Sequence, residues 1–243
     1  MCGDIMFSTY FILFILYSFL GWCCEVTLSL IENKKFVNRG FLIGPYCPIY
    51  GWGCLLFVLF LSDYAEEPFA LFALSIIICS ILEYFTSWIM EKLFKMRWWD
   101  YSDMKFNING RICLETMIPF GVAGVLVISF INPFVMNIIN NIPSNIVMLI
   151  AVILAVLFIV DNIMSFNIIF NLKNMTKNLK KDSTEDIKKH IKNAIQNNKY
   201  LYNRLIKAFP GLKKIIIENK KRIKAKKKKL KEKEKLRKKK LNS

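Results

Sequence analysis

The chain has 243 residues, 54% of them apolar and 14% aromatic, yet its formal net charge is +17. Residues 172–243 carry 27 Lys and Arg against 6 Asp and Glu, a net of +21, whereas residues 1–171 carry a net of −4. Such segregation excludes a water-soluble domain of average composition and predicts two bodies, an apolar one at 1–171 and a basic tail at 172–243.

The apolar body predicts an all-α, polytopic bundle of about five transmembrane helices, each crossing a core of about 30 Å with about 20 residues. The first segment spans 5–31 and is interrupted only by Glu25. Its apolar run is too long for a secretory leader, no base precedes it and no small-residue cleavage site follows, so it is read as a retained helix. The second, 49–61, is short unless part of the preceding stretch also enters the membrane. The third, 68–90, contains Glu83; the fourth, 112–131, has Glu115 near its start and Pro119 inside it; the fifth, 146–170, carries Asp161 in its later half. Continuous apolar runs of this length exclude ordinary amphipathic helices and sheet strands. No internal repeat is evident.

Loop charge sets the orientation. Lys34, Lys35 and Arg39 lie in the first loop, and Lys92, Lys95, Arg97, Lys105 and Arg111 lie in or border the third. The second loop holds Asp63, Glu66 and Glu67 with no base, and the fourth, 132–145, is uncharged. Loops rich in Lys and Arg stay in the cytoplasm, which puts the N-terminus outside and the C-terminus, with the tail, inside. The seven cysteines show no CxxC or Cys/His spacing, and His190 lies far away in the tail. With no metal constellation, cofactor motif or nucleophile–base set, no enzymatic activity and no cofactor are assigned.

Two stretches stand out. One is RGFLIGPYCPIYGWG, residues 39–53, whose four glycines and two prolines cannot form a regular helix although the segment is too apolar for a free loop. An interfacial turn and a re-entrant element lining a site both fit it, since irregular backbone at membrane depth needs protein or a water-filled cavity around it. The other is WWDYS at 98–102, followed by NINGR at 107–111. A belt of interfacial Trp and Tyr explains its aromatics but not Asp100, the asparagines or Gly110-Arg111. Together with EYFTSWIMEKLF and the continuation ICLETMIPFG, these stretches resemble a bacterial family catalogued as putative type IV ABC-transporter permeases, over about residues 21–124. The resemblance implies a multi-pass protein of the bacterial cytoplasmic membrane with a permease role. No GxxxxGK[ST] phosphate loop is present, so a separate ATPase chain has to supply ATP hydrolysis.

Charged groups inside membrane helices face the bundle or water. On the predicted orientation Glu25 and Glu83 lie about 9–12 Å from the cytoplasmic helix ends, with Arg111 entering from the same side. The candidate substrate or ion pathway comprises Glu25, Arg39, Gly44, Pro45, Pro48, Glu83, Asp100, Asn109, Arg111, Glu115 and Asp161. An equally open reading pairs the acids with Arg39, Arg111 or backbone donors to hold helices together, with Glu83–Arg111 as one expected pair and Arg111 on the same face as Glu115. The tail opens on a helix-start pattern at 182–186 and becomes almost wholly Lys-rich over 220–240. It reads as helical or partly disordered and as a binder of anionic lipid, with nucleic acid or ribosome contact the less favoured partner. The rival to a permease is a non-transporting membrane scaffold that recruits partners through this tail.

Overall fold

A computed structural model of the chain describes residues 2–34, 36, 38, 40–94 and 97–178. Arg39 and the tail beyond 178, including the helix expected from 182, lie outside the described residues. The helices form the compact unit Met1–Phe170; of the second unit, Asn171–Ser243, only the helical residues 171–178 are described.

Among the described residues there is no strand. The elements are α1 (Cys2–Asn33), α2 (Pro48–Leu61) with a 3-10 turn (Ser62–Tyr64), α3 (Pro68–Phe94), α4 (Leu114–Leu126), a π turn (Val127–Ile131), α5 (Asn132–Asn140) and α6 (Ser144–Asn178). Four stretches are long and apolar enough to cross a membrane: Gly3–Glu32, Pro68–Leu93, Leu114–Asn140 and Ser144–Phe170. The fifth, Pro48–Tyr64, is shorter.

The fourth crossing is longer than its sequence suggests. The loop expected at 132–145 shrinks to residues 141–143, because α4, the π turn and α5 form one continuous span. Pro133 looks like a terminator, since it cannot donate to a helical carbonyl. The π turn resolves this: Asn132 N–H reaches back to Val127 O, and the shifted register lets Pro133 follow in the first turn of α5. Tyr17 Oη of α1 donates to Asn132 Oδ1 at 3.1 Å and fixes the shift against the bundle.

Tight helix pairing comes from small residues. Without a hydrophobic drive between helices in lipid, association relies on close van der Waals approach. A Cβ at Gly51 of α2 would collide with Ser18 Oγ and lie 2.5 Å from Phe14 O of α1. One at Gly124 of α4 would overlap Ser75 Oγ of α3. Leu13, Tyr17, Phe57, Leu61, Leu71, Val127 and Ile128 fill the core between these pairs.

The two pairs share one plan, a repeat that did not emerge from the sequence. Each begins with a long helix, α1 or α3, continues through an irregular return segment, and re-enters as a second helix that begins with α2 or α4. Both short helices take an extended cysteine as N-cap, Cys47 and Cys113. Both then place a hydroxyl three residues later, Tyr50 and Thr116, against a glutamate of the preceding long helix, Glu25 and Glu83. One turn beyond each glutamate stands a buried serine, Ser29 or Ser87. The side chains differ too much between the halves, Tyr50 against Thr116 and Trp52 against Ile118, for the repeat to appear as letters.

Because Cys47 N–H donates to Ser18 O, α2 starts well below the end of α1. From Ser18 to the end of α1 is about 22 Å, and the return segment descends alongside it. The α6 helix packs on this first pair through Phe158, edge-on to Phe14 at 5.5 Å and tilted against Tyr46 at 5.8 Å.

Gly51→Ala is expected to lower the melting temperature of the detergent-solubilised protein, with an overpacking cost of about 1–3 kcal/mol, because a backbone carbonyl is among the atoms that must move. Gly3→Ala, where nothing lies within 4 Å, should leave it unchanged. Equal melting temperatures for the two variants would contradict this account of the α1–α2 contact.

Candidate functional site

The return segments carry most of the polar chemistry, since they leave helical hydrogen bonding inside an apolar bundle. In the first, Asn38 organises the turn: its Oδ1 accepts from Trp22 Nε1 at 2.9 Å and Gly40 N–H at 3.0 Å, while its Nδ2 donates to Ile43 O at 3.3 Å. The next donors find a carboxylate. Asp161 of α6 accepts from Ile43 N–H at 2.9 Å, Gly44 N–H at 2.6 Å, Tyr46 Oη at 2.6 Å and Ser165 Oγ at 2.8 Å. Two successive backbone N–H groups cupping an anion form a nest. Gly44 has a side-chain ring over it, with Tyr46 Cε1 2.5 Å from where a Cβ would stand. Pro45 follows, and Pro48 occupies the first helical position of α2, where a missing N–H costs nothing. Asp161 is thereby placed as the anchor of this segment on α6.

The second return segment folds over α3. Ile108 and Ile112 bridge around Asn109 and Gly110, whose φ values of +54° and +66° suit the tight Asn-Gly turn of a hairpin. Asn109 Nδ2 donates to Tyr84 Oη at 2.9 Å. Arg111, 8% exposed, directs Nη1 to Ser87 Oγ at 3.2 Å and Nη2 to Glu91 Oε2 at 2.5 Å. Arg97 Nε donates to the same Glu91 oxygen at 3.2 Å, and its Nη1 to Asp100 Oδ1 at 3.4 Å. Asp100 in turn accepts from Ser102 Oγ, the main reason its carboxyl lies below the usual carboxylate range. The chain Arg111–Glu91–Arg97–Asp100 ties the loop to the end of α3.

The expected Glu83–Arg111 pair is therefore corrected to Glu91–Arg111. Glu83, Ser87 and Glu91 form one stripe on α3 at four-residue spacing, and the guanidinium, arriving from the outer end, meets Glu91 and Ser87 first. Arg111 does not share a helix face with Glu115, because the helix begins only after Cys113; Glu115 is exposed in the first turn of α4.

Glu83 lies deeper, 6% exposed. Tyr101 Oη, from the loop, donates to its Oε1 at 3.2 Å, and Thr116 Oγ1, from α4, lies 3.5 Å from its Oε2. Glu25 of α1 accepts from Tyr50 Oη of α2 at 2.7 Å. Burial first, then the charge and hydrogen bond of Glu83, push Tyr101 above the usual phenol range, and the charge of Glu25 adds to this. Glu25 and Glu83, from equivalent positions of the two halves, are each met by a hydroxyl and lie within electrostatic reach of each other, while Arg111 stands one to two turns away with Glu91. Tyr50, Tyr101, Thr116 and Glu91 were not singled out by sequence. The recurring spacing from a cysteine to a hydroxyl three residues on, 47 to 50 and 113 to 116, was the available signal.

A family model described as "Putative ABC-transporter type IV" matches residues 12–166, a range that holds both return segments, both glutamates and Asp161. No curated protein and no solved structure matches the chain.

Glu91→Gln and Arg111→Gln are expected to couple in a double-mutant cycle by about 0.5–3 kcal/mol, whereas Glu83→Gln and Arg111→Gln should add. Thermal melting of the purified variants provides the measurement. Coupling at Glu83 with additivity at Glu91 would reverse the assignment of partners.

Proposed function

Since the chain belongs to the family described as putative ABC-transporter type IV, we propose that it is the membrane-spanning subunit of an ATP-driven transporter whose ATPase is a separate chain. The observation that carries this reading is a family match covering the helical bundle in a sequence that has no GxxxxGK[ST] loop. The bundle supplies what a pathway needs and a simple anchor does not: irregular backbone packed between helices, and carboxylates drawn from different helices into one cluster. Glu25 and Glu83 with Tyr50 and Tyr101 are the central candidates for the pathway. Asp161 and the Arg111–Glu91–Arg97–Asp100 chain hold the two return segments around them.

Affinity purification of the full chain in mild detergent is expected to recover, in stoichiometric amount, a chain that carries the phosphate loop and hydrolyses ATP. Repeated purifications that yield the intact bundle without such a chain would count against the permease reading and favour a scaffold.

The same reading puts the N-terminus outside the cytoplasmic membrane and both return segments inside, on the alternation of basic and acidic loops. Single cysteines at positions 65 and 141 in a cysteine-free background should react with an impermeant thiol reagent on intact cells. Cysteines at positions 35 and 105 should react only after permeabilisation, and outside labelling of position 35 would invert the topology.

A further inference from the structure

We propose that the tip of the second return segment, residues 104–108, is an interfacial wedge that inserts Phe106 among the lipid acyl chains beside α3. Phe106 carries the argument. Its φ of +51° is a left-handed conformation that costs a residue with a bulky side chain, and turns that need it ordinarily hold glycine, asparagine or aspartate. The fold nevertheless fixes it there. Met104 N–H donates to Tyr101 O at 2.9 Å, and Asn107 Nδ2 donates to Met104 O at 2.7 Å and to Ser102 O at 3.3 Å. Asn107 Oδ1 accepts from Gly110 N–H at 2.9 Å, so the turn is tied on both sides of the ring. The ring itself is 80% exposed, and Met104 and Ile108 near it are exposed as well. A strained backbone persists where its surroundings hold it. This one is held, yet the exposed ring gains little packing within the chain, so its contact lies outside.

Depth identifies that contact as lipid. The segment does not stand beyond the bundle but runs back along α3. Tyr101 Oη reaches Glu83, about 16 Å before the end of that helix, and Arg111 reaches Ser87 and Glu91. Asn109 is held by Tyr84 Oη, and helical side chains lean toward the helix N-terminus, so this contact lies no nearer the end than Tyr84 does. Phe106 is three residues from Asn109 and can stand only about 10 Å from it. The tip is therefore level with the last turns of α3, where Phe85, Trp88 and Ile89 are exposed within the apolar span Pro68–Leu93. What surrounds a crossing helix near its end is the boundary between acyl chains and headgroups. The sequence of the tip suits that boundary, since Asp103, Lys105 and Asn107 alternate with Met104, Phe106 and Ile108. Lys105 has the apolar stem that lets its ammonium reach headgroup phosphates while its neighbours enter the apolar layer. Gly110, held by Asn107, precedes Arg111, so through this turn the leaflet bears on the network that Arg111 enters. The inference rests on the bundle crossing a membrane and not on transport.

The test places the fluorophore NBD on Phe106→Cys of the full chain, in a background without other cysteines, reconstituted in phosphatidylcholine–phosphatidylglycerol vesicles. Its emission should be blue-shifted relative to the dye's free cysteine adduct in water. Lipid carrying a nitroxide near the top of the acyl chain should quench it, and aqueous iodide should quench it far less than it quenches the free adduct. If removing the cysteines unfolds the bundle, p-benzoylphenylalanine at position 106 of the otherwise native chain replaces the label, and ultraviolet irradiation in the same vesicles should yield a lipid adduct by mass spectrometry. Iodide quenching as strong as that of the free adduct would put the tip in water. A shifted label untouched by lipid nitroxide, or irradiation that yields no lipid adduct, would put it against protein or solvent instead. Any of these results would overturn the proposal.

Discussion

The constraint on which the structure depends is that no polar group inside this bundle can turn to bulk water for a partner. A helix meets that condition by itself. Residues 40–47 and 97–113 do not, so their buried polar groups are met by neighbouring helices or by other groups of the same segment. Asp161 answers Ile43, Gly44 and Tyr46; Tyr84, Ser87 and Glu91 answer the second segment. The acids of the membrane helices are thus explained first as acceptors for irregular backbone and loop side chains. The deeper pair receives hydroxyls instead, Tyr50 at Glu25 and Tyr101 with Thr116 at Glu83.

This sorting divides the candidate residues by role. Asp161, Asp100 and Arg111 are members of short-range networks whose geometry is closed: both oxygens of Asp161 are occupied, and Arg111 is stacked near the Tyr84 ring as well as hydrogen-bonded. Glu115, exposed at the positive end of α4, is in the position that favours an acid with or without a further role. Gly44 and Pro48 shape the backbone, one by letting a ring lie against it and the other by starting a helix.

Much of this was legible in advance. Apolar runs revealed the helices. The glycine and proline content of 39–53 marked an irregular segment, but the structure limits it: Pro48 to Gly53 form the regular start of α2, so the expectation that the whole stretch is non-helical is corrected. The second apolar run is too short to stand without that stretch, and α1 and α2 are arranged accordingly. What stayed hidden is a matter of partners. Three acids near one side of the bundle, Glu83, Glu91 and Glu115, compete for Arg111, and sequence carries no ranking by distance from the helix end. Pro133 reads as a stop because a π turn has no letter of its own. The repeat was invisible because the halves preserve hydrogen-bonding roles, a phenol in one and a threonine in the other, and not residue types.

The anchor at Asp161 also bears on the order in which the bundle can be completed. Ile43 and Gly44 leave the ribosome long before their acceptor, which is encoded more than a hundred positions later. Throughout that interval α1 and α2 can be threaded into the bilayer, yet the backbone between them has no acid to close on. The first hairpin is thus an unfinished object until α6 arrives, and the insertion of that helix is the act that seals the beginning of the bundle.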